Sequence, residues 1–392
     1  MTTQTSFLGG EISPLAAMRF DRPFHEHGMA KLTNQTLRLQ GACETRPGTV
    51  DHGKLENGES IGIDWVFSPT QSYAFILSNG RFDVMSNQTH EIVDADGGMP
   101  WNPAHFEQMT FAPQLDRMIV CHPDFYPWVV KRNSASEFSA APFAFEGDVR
   151  IFQPHYKFAP AAVTLQPSGT TGTISLVASA PVFVDEHVGV RFRIVNKELW
   201  IVAVSSSTLA TAYCQETLTA TAATSDWTEQ VFSPARGGAR SVAFFGERLI
   251  FGGARDYPLG LWASKIGQFF NFDIGTSADS DAIWESVGDD VSEIRHMIVD
   301  RHLLVFGDRR YYMVANTETT PLTPKNFKAP PQDPVGASYC RPAHFDGGVV
   351  FVQADSNIVR VVRYNDIDQR YQVDDLNLTA PHIVSGAKRI AA

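Results

Sequence analysis

Basic residues are in short supply. The 392-residue chain carries 32 Lys and Arg against 43 Asp and Glu, a formal net charge of −11, which excludes general attraction to a nucleic-acid backbone or an anionic membrane. Any contact with DNA is then local or weak. Cysteine is scarcer still. Cys43, Cys121, Cys214 and Cys340 stand far apart, with no CxxC pair and no His at zinc-ligand spacing beside any of them, so they read as small buried apolar residues. No run approaches the roughly 20 apolar residues that span a bilayer. Met1 to Gly10 has no basic start followed by an apolar stretch, so the expectation is a soluble protein without a secretory signal, made in a cytoplasm. Missing too are GxSxG, HExxH, Walker and GxGxxG patterns, and no sialidase-type Asp-box recurs. We therefore expect no enzyme, no cofactor and no metal. Charged residues are only 19% and apolar ones 43%, the balance of an ordered chain with a large core and room for two or three domains.

What is present is a repeated β-hairpin unit. A strand runs into a short turn, a second apolar strand follows, and a third carries aromatic or β-branched residues. The five copies are Ile61 to Met85, Ala104 to Lys131, Arg240 to Lys265, Ile294 to Val314, and Ala343 to Tyr364. Their middle strands recur at 44 residues (Phe75 to Ile119), 55 (Phe251 to Phe306) and 45 (Phe306 to Phe351). Such a period without helical patterning is the signature of propeller blades. Between Ile119 and Phe251 the gap is 132 residues. Within it, Phe158 to Thr224 has strand-like runs at Thr173–Val177, Val190–Val195, Leu199–Val204 and Tyr213–Thr221, with turn residues including the pair Asn196–Lys197. The expected fold is all-β, a β-propeller-like repeat of at least five blade units with an inserted small β-sandwich or barrel domain. The chain is expected to divide into an N-terminal assembly or closure segment over 1–50, a first stretch of propeller over 51–152, the insertion over 153–226, and a second stretch of propeller over 227–392. Helix is expected only in short pieces, at Ser280–Val287 and Pro14–Arg19.

Few residues suggest chemistry. His25 and His27 share one face of a strand-like stretch but have no third ligand nearby, so they read as a polar surface loop. Asp273 to Asp281 alternates oxygen side chains as a calcium loop does, yet lacks the Gly and the distant Glu that complete one, so turn and cap roles are expected. Asp289, Asp290 and Glu293 form the densest acidic group, which reads as a solvated edge, although paired carboxylates for glycoside cleavage need only be close in space. The strand aromatics Trp65, Phe67, Trp128, Phe244, Phe251, Trp262, Phe269, Phe270 and Phe272 are expected in the core.

Two segments carry a resemblance. One is FLGGEISPLAAMRFD, Phe7 to Asp21, followed by Asn34, Gly41 and ETRPGT, Glu44 to Thr49. The other is SPARGGARSVAFFGERLIFGGARDYPLGLWASKIGQFFNFDIG, Ser233 to Gly275, followed by Ala282 to Arg310. Together they resemble the tail nozzle, or tail tubular, proteins of short-tailed bacteriophages. The resemblance implies a structural virion protein, made in the host cytoplasm and built into the tail as a ring, usually a hexamer, below portal and adaptor. It would extend the DNA-ejection channel and anchor fibre, spike or needle proteins. Its partners would be its own copies, the tail adaptor and those appendages, with double-stranded DNA passing transiently and unread. Such proteins run on well past the strand corresponding to Asp374–His382, which implies either a compact nozzle here, or a remainder that is supplied by another polypeptide or has been cut away. Phe7, Leu8, Leu15 and Phe20 are the expected apolar anchors of assembly, and Arg46 the polar one. The alternative reading is a receptor- or polysaccharide-binding tail propeller, with a glycosidase as a third.

Overall fold

In the strand Arg117–His122, successive side chains are buried on opposite sides. Met118 and Val120 join one apolar cluster with Trp65, Phe75 and Phe82, while Ile119 and Cys121 join another with Leu249, Phe251 and Trp262. A strand buried on both faces needs a sheet on either side of it, and this requirement organises the chain. The computed structural model describes all residues except 1–3, 52–54, 56–57, 148–149, 159–161, 289, 318, 320, 385 and 391–392.

Asn57–Tyr339 is one of two compact units. It holds four antiparallel meanders, each strand hydrogen-bonded to the next in sequence. The first is Ile61–Ser68, Gln71–Ser78, Arg81–Ser86 and Ile92–Gly97; the second is Thr110–Gln114, Arg117–His122, Phe125–Ser134 and Glu137–Pro142. The third is Ala239–Phe245, Arg248–Ala254, Gly260–Ala263 and Ile283–Ser286; the fourth has three strands, Ile294–Val299, Leu303–Gly307 and Tyr311–Val314. Consecutive meanders share their cores. The third uses Leu249 and Phe251 towards the second, and Ile250 and Leu261 towards Leu303, Val305 and Tyr312 of the fourth. This is blade logic: no sheet can cover both of its faces alone, and each buried large side chain contributes about 1.5–3 kcal/mol.

The insertion is one seven-stranded sheet in the order His155–Tyr156, Trp227–Gln230, Arg191–Ile194, Lys197–Ser206, Leu209–Cys214, Gly172–Ala178, Leu165–Pro167. Leu165 at its far edge exchanges two backbone hydrogen bonds with Thr224, just before Trp227, so the six strands from Trp227–Gln230 to Leu165–Pro167 close into a small barrel. Its interior is filled by Leu165, Leu176, Phe192, Leu199, Ile201 and Trp227, whose indole N–H donates to the Val163 carbonyl at 3.0 Å. Of the two architectures open for the insertion, the sheet closes as a barrel, and it runs past the expected edge at 226, because Trp227–Gln230 pairs within it rather than in a propeller meander.

The second unit joins Met1–Glu56 to Cys340–Ala392, so the fifth meander groups with the N-terminal segment. That meander is Ala343–Phe345, Gly348–Val352, Val359–Asn365 and Arg370–Asp375. Gly10–Glu11 pairs in parallel with Gly28–Met29, and Gln35–Leu37 forms a hairpin with Cys43–Thr45.

The all-β, propeller-like expectation holds in these five meanders, and four details differ. Ile283–Ser286, expected as a helix, is the fourth strand of the third meander and sets Trp284 opposite Trp262. Only Ile283 of its residues is buried, so it lacks a strand's apolar alternation. The run Tyr213–Thr221 ends as strand at Cys214, because the Gln215 and Glu216 N–H groups both turn back to the Glu198 carbonyl. In Pro14–Arg19 only Pro14–Ala16 is helical, as one 3-10 turn, and a four-residue α-helix, Pro23–Glu26, follows. Cys121, Cys214 and Cys340 are buried, but Cys43 is half-buried and donates its Sγ–H to Gln35.

Candidate assembly surface

The N-terminal segment has an inner frame. Phe7 N–H donates to the Gly41 carbonyl at 2.9 Å, Gly9 N–H to His27 at 2.8 Å and Ile12 N–H to Met29 at 2.9 Å. Gly9 is required by close approach, since a Cβ there would lie 2.8 Å from the carbonyl oxygens of His27 and Phe24. Ile12 is buried, and Ser13 caps the turn Pro14–Ala16 by accepting the Leu15 N–H. Two contacts tie this frame to the end of the chain. Ser13 N–H donates to the Thr379 carbonyl at 2.9 Å, and Glu11 meets His382 Nε2 at 2.9 Å. The Leu32 N–H and then His382 hold the Glu11 carboxyl below its usual range.

The same segment carries several large apolar side chains open to solvent, among charged ones such as Arg19 and Asp21. Leu8 is 53% exposed, Leu15 94%, Met18 81% and Phe20 69%. Across the Ser13–Thr379 junction, Leu378 is 76% and Ile383 58% exposed. Single exposed leucines mean little, but a concentration of large apolar side chains around one frame marks an interaction surface. Phe7 is half-buried. Arg46 is exposed, with its Nε donating to Asn34 Oδ1 at 3.1 Å and its N–H to the Asn34 carbonyl at 3.0 Å. Arg19 clamps Asp21, whose pKa its hydrogen bond pulls down to about 2.

Most of the residues weighed for chemistry are engaged structurally, but His27 is exposed, and His25 and His27 sit at the end of the helix Pro23–Glu26 rather than on one face of a strand. His25 Nε2 lies 2.8 Å from the Ala17 carbonyl. Asp281 accepts the Thr276 and Ala278 N–H groups and pairs with Lys265, which also holds Asp273, so the calcium-like stretch consists of turns and caps. Arg248, fully buried beneath it, donates to the carbonyls of Ser264, Asp281 and Asp279. Asp290 pairs with Arg310 and the Tyr312 hydroxyl, and Glu293 with Arg240, Arg295 and the Tyr339 hydroxyl. Asp289 lies outside the described residues.

Sequence spacing gave no sign of one cluster, His105, His122 and Asp124, whose potential ligand atoms lie within 4.8 Å of one another. His105 Nδ1 accepts the Asn102 N–H at 3.3 Å, and His122 Nδ1 accepts the Asp124 N–H at 3.1 Å. With Nδ1 accepting, the proton of each neutral ring sits on Nε2, and neither Nε2 offers a lone pair to a metal. The cluster is a pair of turn caps with a pH dependence. Burial, then His105, then Arg240 push the His122 pKa down to about 4, against Asp124. The unfolded chain binds this proton more readily, so the contribution is complete above the ordinary value of 6.5 and is lost as pH falls from 6.5 towards 4. The loss should approach about 3 kcal/mol, at about 1.36 kcal/mol per pKa unit. Urea midpoints of wild type and His122→Gln at pH 7 and at the acid end of that window check this: the wild type should lose clearly more, and equal losses would clear His122.

In the second resembling segment, SPARGGAR, Arg236 reaches the fully buried Glu229, which also lies 3.1 Å from His187 Nε2. Here the motif joins the barrel's last strand to the third meander. Phe244, Phe269 and Phe270 line a cleft of about 670 Å³ between the second and third meanders, together with Gln114, Asp116 and Asn271. Trp65, Phe251 and Trp262 are buried on strands, as expected, whereas Phe269, Phe270 and Phe272 lie not on a strand but in the connection between Gly260–Ala263 and Ile283–Ser286, where Phe272 is still buried.

No protein-family model and no curated protein matches the chain. Among solved structures it is similar to the β-propeller domain of Myceliophteria thermophila Cps50 (Swd1), at 10% identity and a TM-score of 0.37 over 82% of this chain and 87% of that one. It is similar also to the WD40 repeats of RRP9, at 8% identity and a TM-score of 0.32 over 78% of this chain and 77% of that one. A third is the computationally designed Ika8 protein, at 12% identity and a TM-score of 0.27 over 82% of this chain and 88% of that one. The description of the chain as propeller-like stands on its own meanders and their shared cores, and no function passes to it from these likenesses.

Proposed function

We propose that this chain is a non-enzymatic structural subunit of a short phage tail, a ring-forming nozzle, hexameric in this reading, that extends the DNA channel below portal and adaptor and anchors fibre, spike or needle proteins. The observation that carries the reading is the N-terminal segment. Its backbone is fixed by hydrogen bonds on the inside while Leu15, Met18 and Phe20 remain open to solvent. Such an arrangement fits a surface covered by another copy or a neighbouring ring. A net charge of −11 fits a wall that lets DNA slide, because each neutralised phosphate adds affinity and salt dependence. The double variant Leu15→Asp, Met18→Asp tests the surface. Its thermal melt should match the wild type, since neither side chain is buried, while self-association weakens roughly tenfold or more. Unchanged assembly would remove this surface from the account.

A polysaccharide-binding tail propeller is the second reading, favoured by the cleft of phenylalanines and amides between the second and third meanders. A glycan array on the purified protein decides it: specific binding that is lost in Phe269→Ala supports it, and silence across the array counts against it.

A further inference from the structure

A cavity of about 210 Å³ between the barrel and the third meander has two guanidinium groups and one carboxylate, Asp273, in its lining. Arg193 and Arg150 line it, with His155, Asn196, Trp262 and Trp284. The charge around it does not balance. Glu198, fully buried, is shared by Arg191 at 3.1 Å and Arg193 at 3.6 Å, and Glu216 by Arg150 at 3.2 Å and Lys197 at 3.4 Å. These four cations meet two carboxylates, and Asp273 in the lining, which also acts on Arg193, is a third. Asp273, the acid in the lining, has one oxygen on the Gly275 N–H at 3.0 Å and the other on Lys265 at 3.3 Å. Burial, then Arg193 and Arg150, keep His155 well below its ordinary pKa and so neutral. Burial and Arg150 lower Arg193 to about 10.

Two donors in this lining have no hydrogen-bond acceptor among the described residues, while the buried Oε2 of Glu198, 3.6 Å from Arg193, is likewise left without a hydrogen bond. Arg193 gives one Nη2 bond to the Ile151 carbonyl at 3.3 Å and leaves its Nε–H without a partner. The indole Nε1 of Trp262, a residue only 2% exposed, is likewise unpartnered. Leaving buried donors unmade is costly, more so next to uncompensated charge. An acceptor with negative charge would relieve both deficits, and the guanidinium fork matches a planar or tetrahedral oxyanion.

We propose that this cavity is a binding site for a compact oxyanion, the phosphate or carboxylate of a small molecule, held by Arg193 and Arg150 with the Trp262 N–H as a neutral donor. The site is independent of the assembly surface, and its barrel side is built by strand pairing that places Arg193 opposite Glu198.

Calorimetric titration of the full-length protein with inorganic phosphate, glucuronate and glucose tests the proposal. Saturable binding of phosphate or glucuronate, with none of glucose, is expected. Phosphate alone identifies a phosphoryl site, glucuronate alone a carboxylate site, and both together a site that reads only the charge. Arg193→Gln should weaken the binding about tenfold or more, as loss of a charged hydrogen-bonding partner does. Because Arg193→Gln also strips a partner from buried Glu198, Trp262→Phe serves as the second variant. It deletes the N–H along with part of the indole, so the melt falls somewhat through lost packing in the core cluster, and in the folded variant the oxyanion should bind several-fold more weakly. No saturable binding of either anion would overturn the proposal, and so would binding equally tight in Trp262→Phe and in a folded Arg193→Gln.

Discussion

Gly237→Val should destabilise the fold by about 3 kcal/mol or more, the largest effect expected of a single substitution. Gly237 has φ +81°, and a Cβ there would fall 1.8 Å from the Pro123 carbonyl oxygen, which itself accepts the Gly238 N–H at 3.2 Å. A left-handed conformation costs an L residue about 1–2 kcal/mol on its own. The contact then forces apart the turn between Arg117–His122 and Phe125–Ser134, whose strands fill two core clusters, and overpacking of this kind adds about 1–3 kcal/mol. Urea denaturation with a barrel-strand tryptophan such as Trp227 and a meander tryptophan such as Trp65 as probes measures it. A midpoint equal to the wild type's would show that the turn can yield.

Removing residues 1–49 should abolish assembly. The deletion takes away the exposed apolar set Leu8, Leu15, Met18 and Phe20 together with the frame that presents it. It also frees the Thr379 carbonyl and His382, which Ser13 and Glu11 engage. Rings or assembly-competent protomers should become monomers or, where the uncovered C-terminal stretch sticks, aggregates. Buried aromatic and aliphatic anchors are often worth more than about 2 kcal/mol each when removed from an interface, so losing four leaves little association to measure by ultracentrifugation. A truncated protein that still assembles would contradict the assignment of this segment.

The strands of the five meanders were legible because burial on one or both faces imposes apolar patterning, as in Ile61, Ile63 and Trp65 against Gly62 and Asp64. The outer strands were harder. Ile283–Ser286 has one buried residue, and Leu165–Pro167 is three residues long and contains proline, yet one completes a meander and the other closes the barrel. The closing bridge joins Leu165 to Thr224 through backbone atoms alone, to which no side-chain pattern need correspond. The domain grouping failed to show for a similar reason: the ties from Ser13 to Thr379 and Glu11 to His382 span nearly the whole chain.

The candidate surface was readable as a motif but not as a division of labour. Within FLGGEISPLAAMRFD the structure separates Gly9, Ile12 and Ser13, which hold the frame, from Leu8, Leu15 and Phe20, which face solvent; nothing in residue type alone distinguishes Ile12 from Leu15. Phe7 is tied by its backbone to Gly41, and Arg46 to Asn34. The donor-rich cavity had no signal in spacing at all. Arg150, Arg193, Glu216 and Trp262 come together only through the barrel's pairing and its packing on the third meander.

Assembly is the central claim, and electron microscopy of the purified full-length protein tests it most directly, alone and mixed with its adaptor ring. The account predicts closed rings with a central channel, six-fold in the nozzle reading, that disappear in Leu15→Asp, Met18→Asp. A uniform population of monomers in both samples would contradict it.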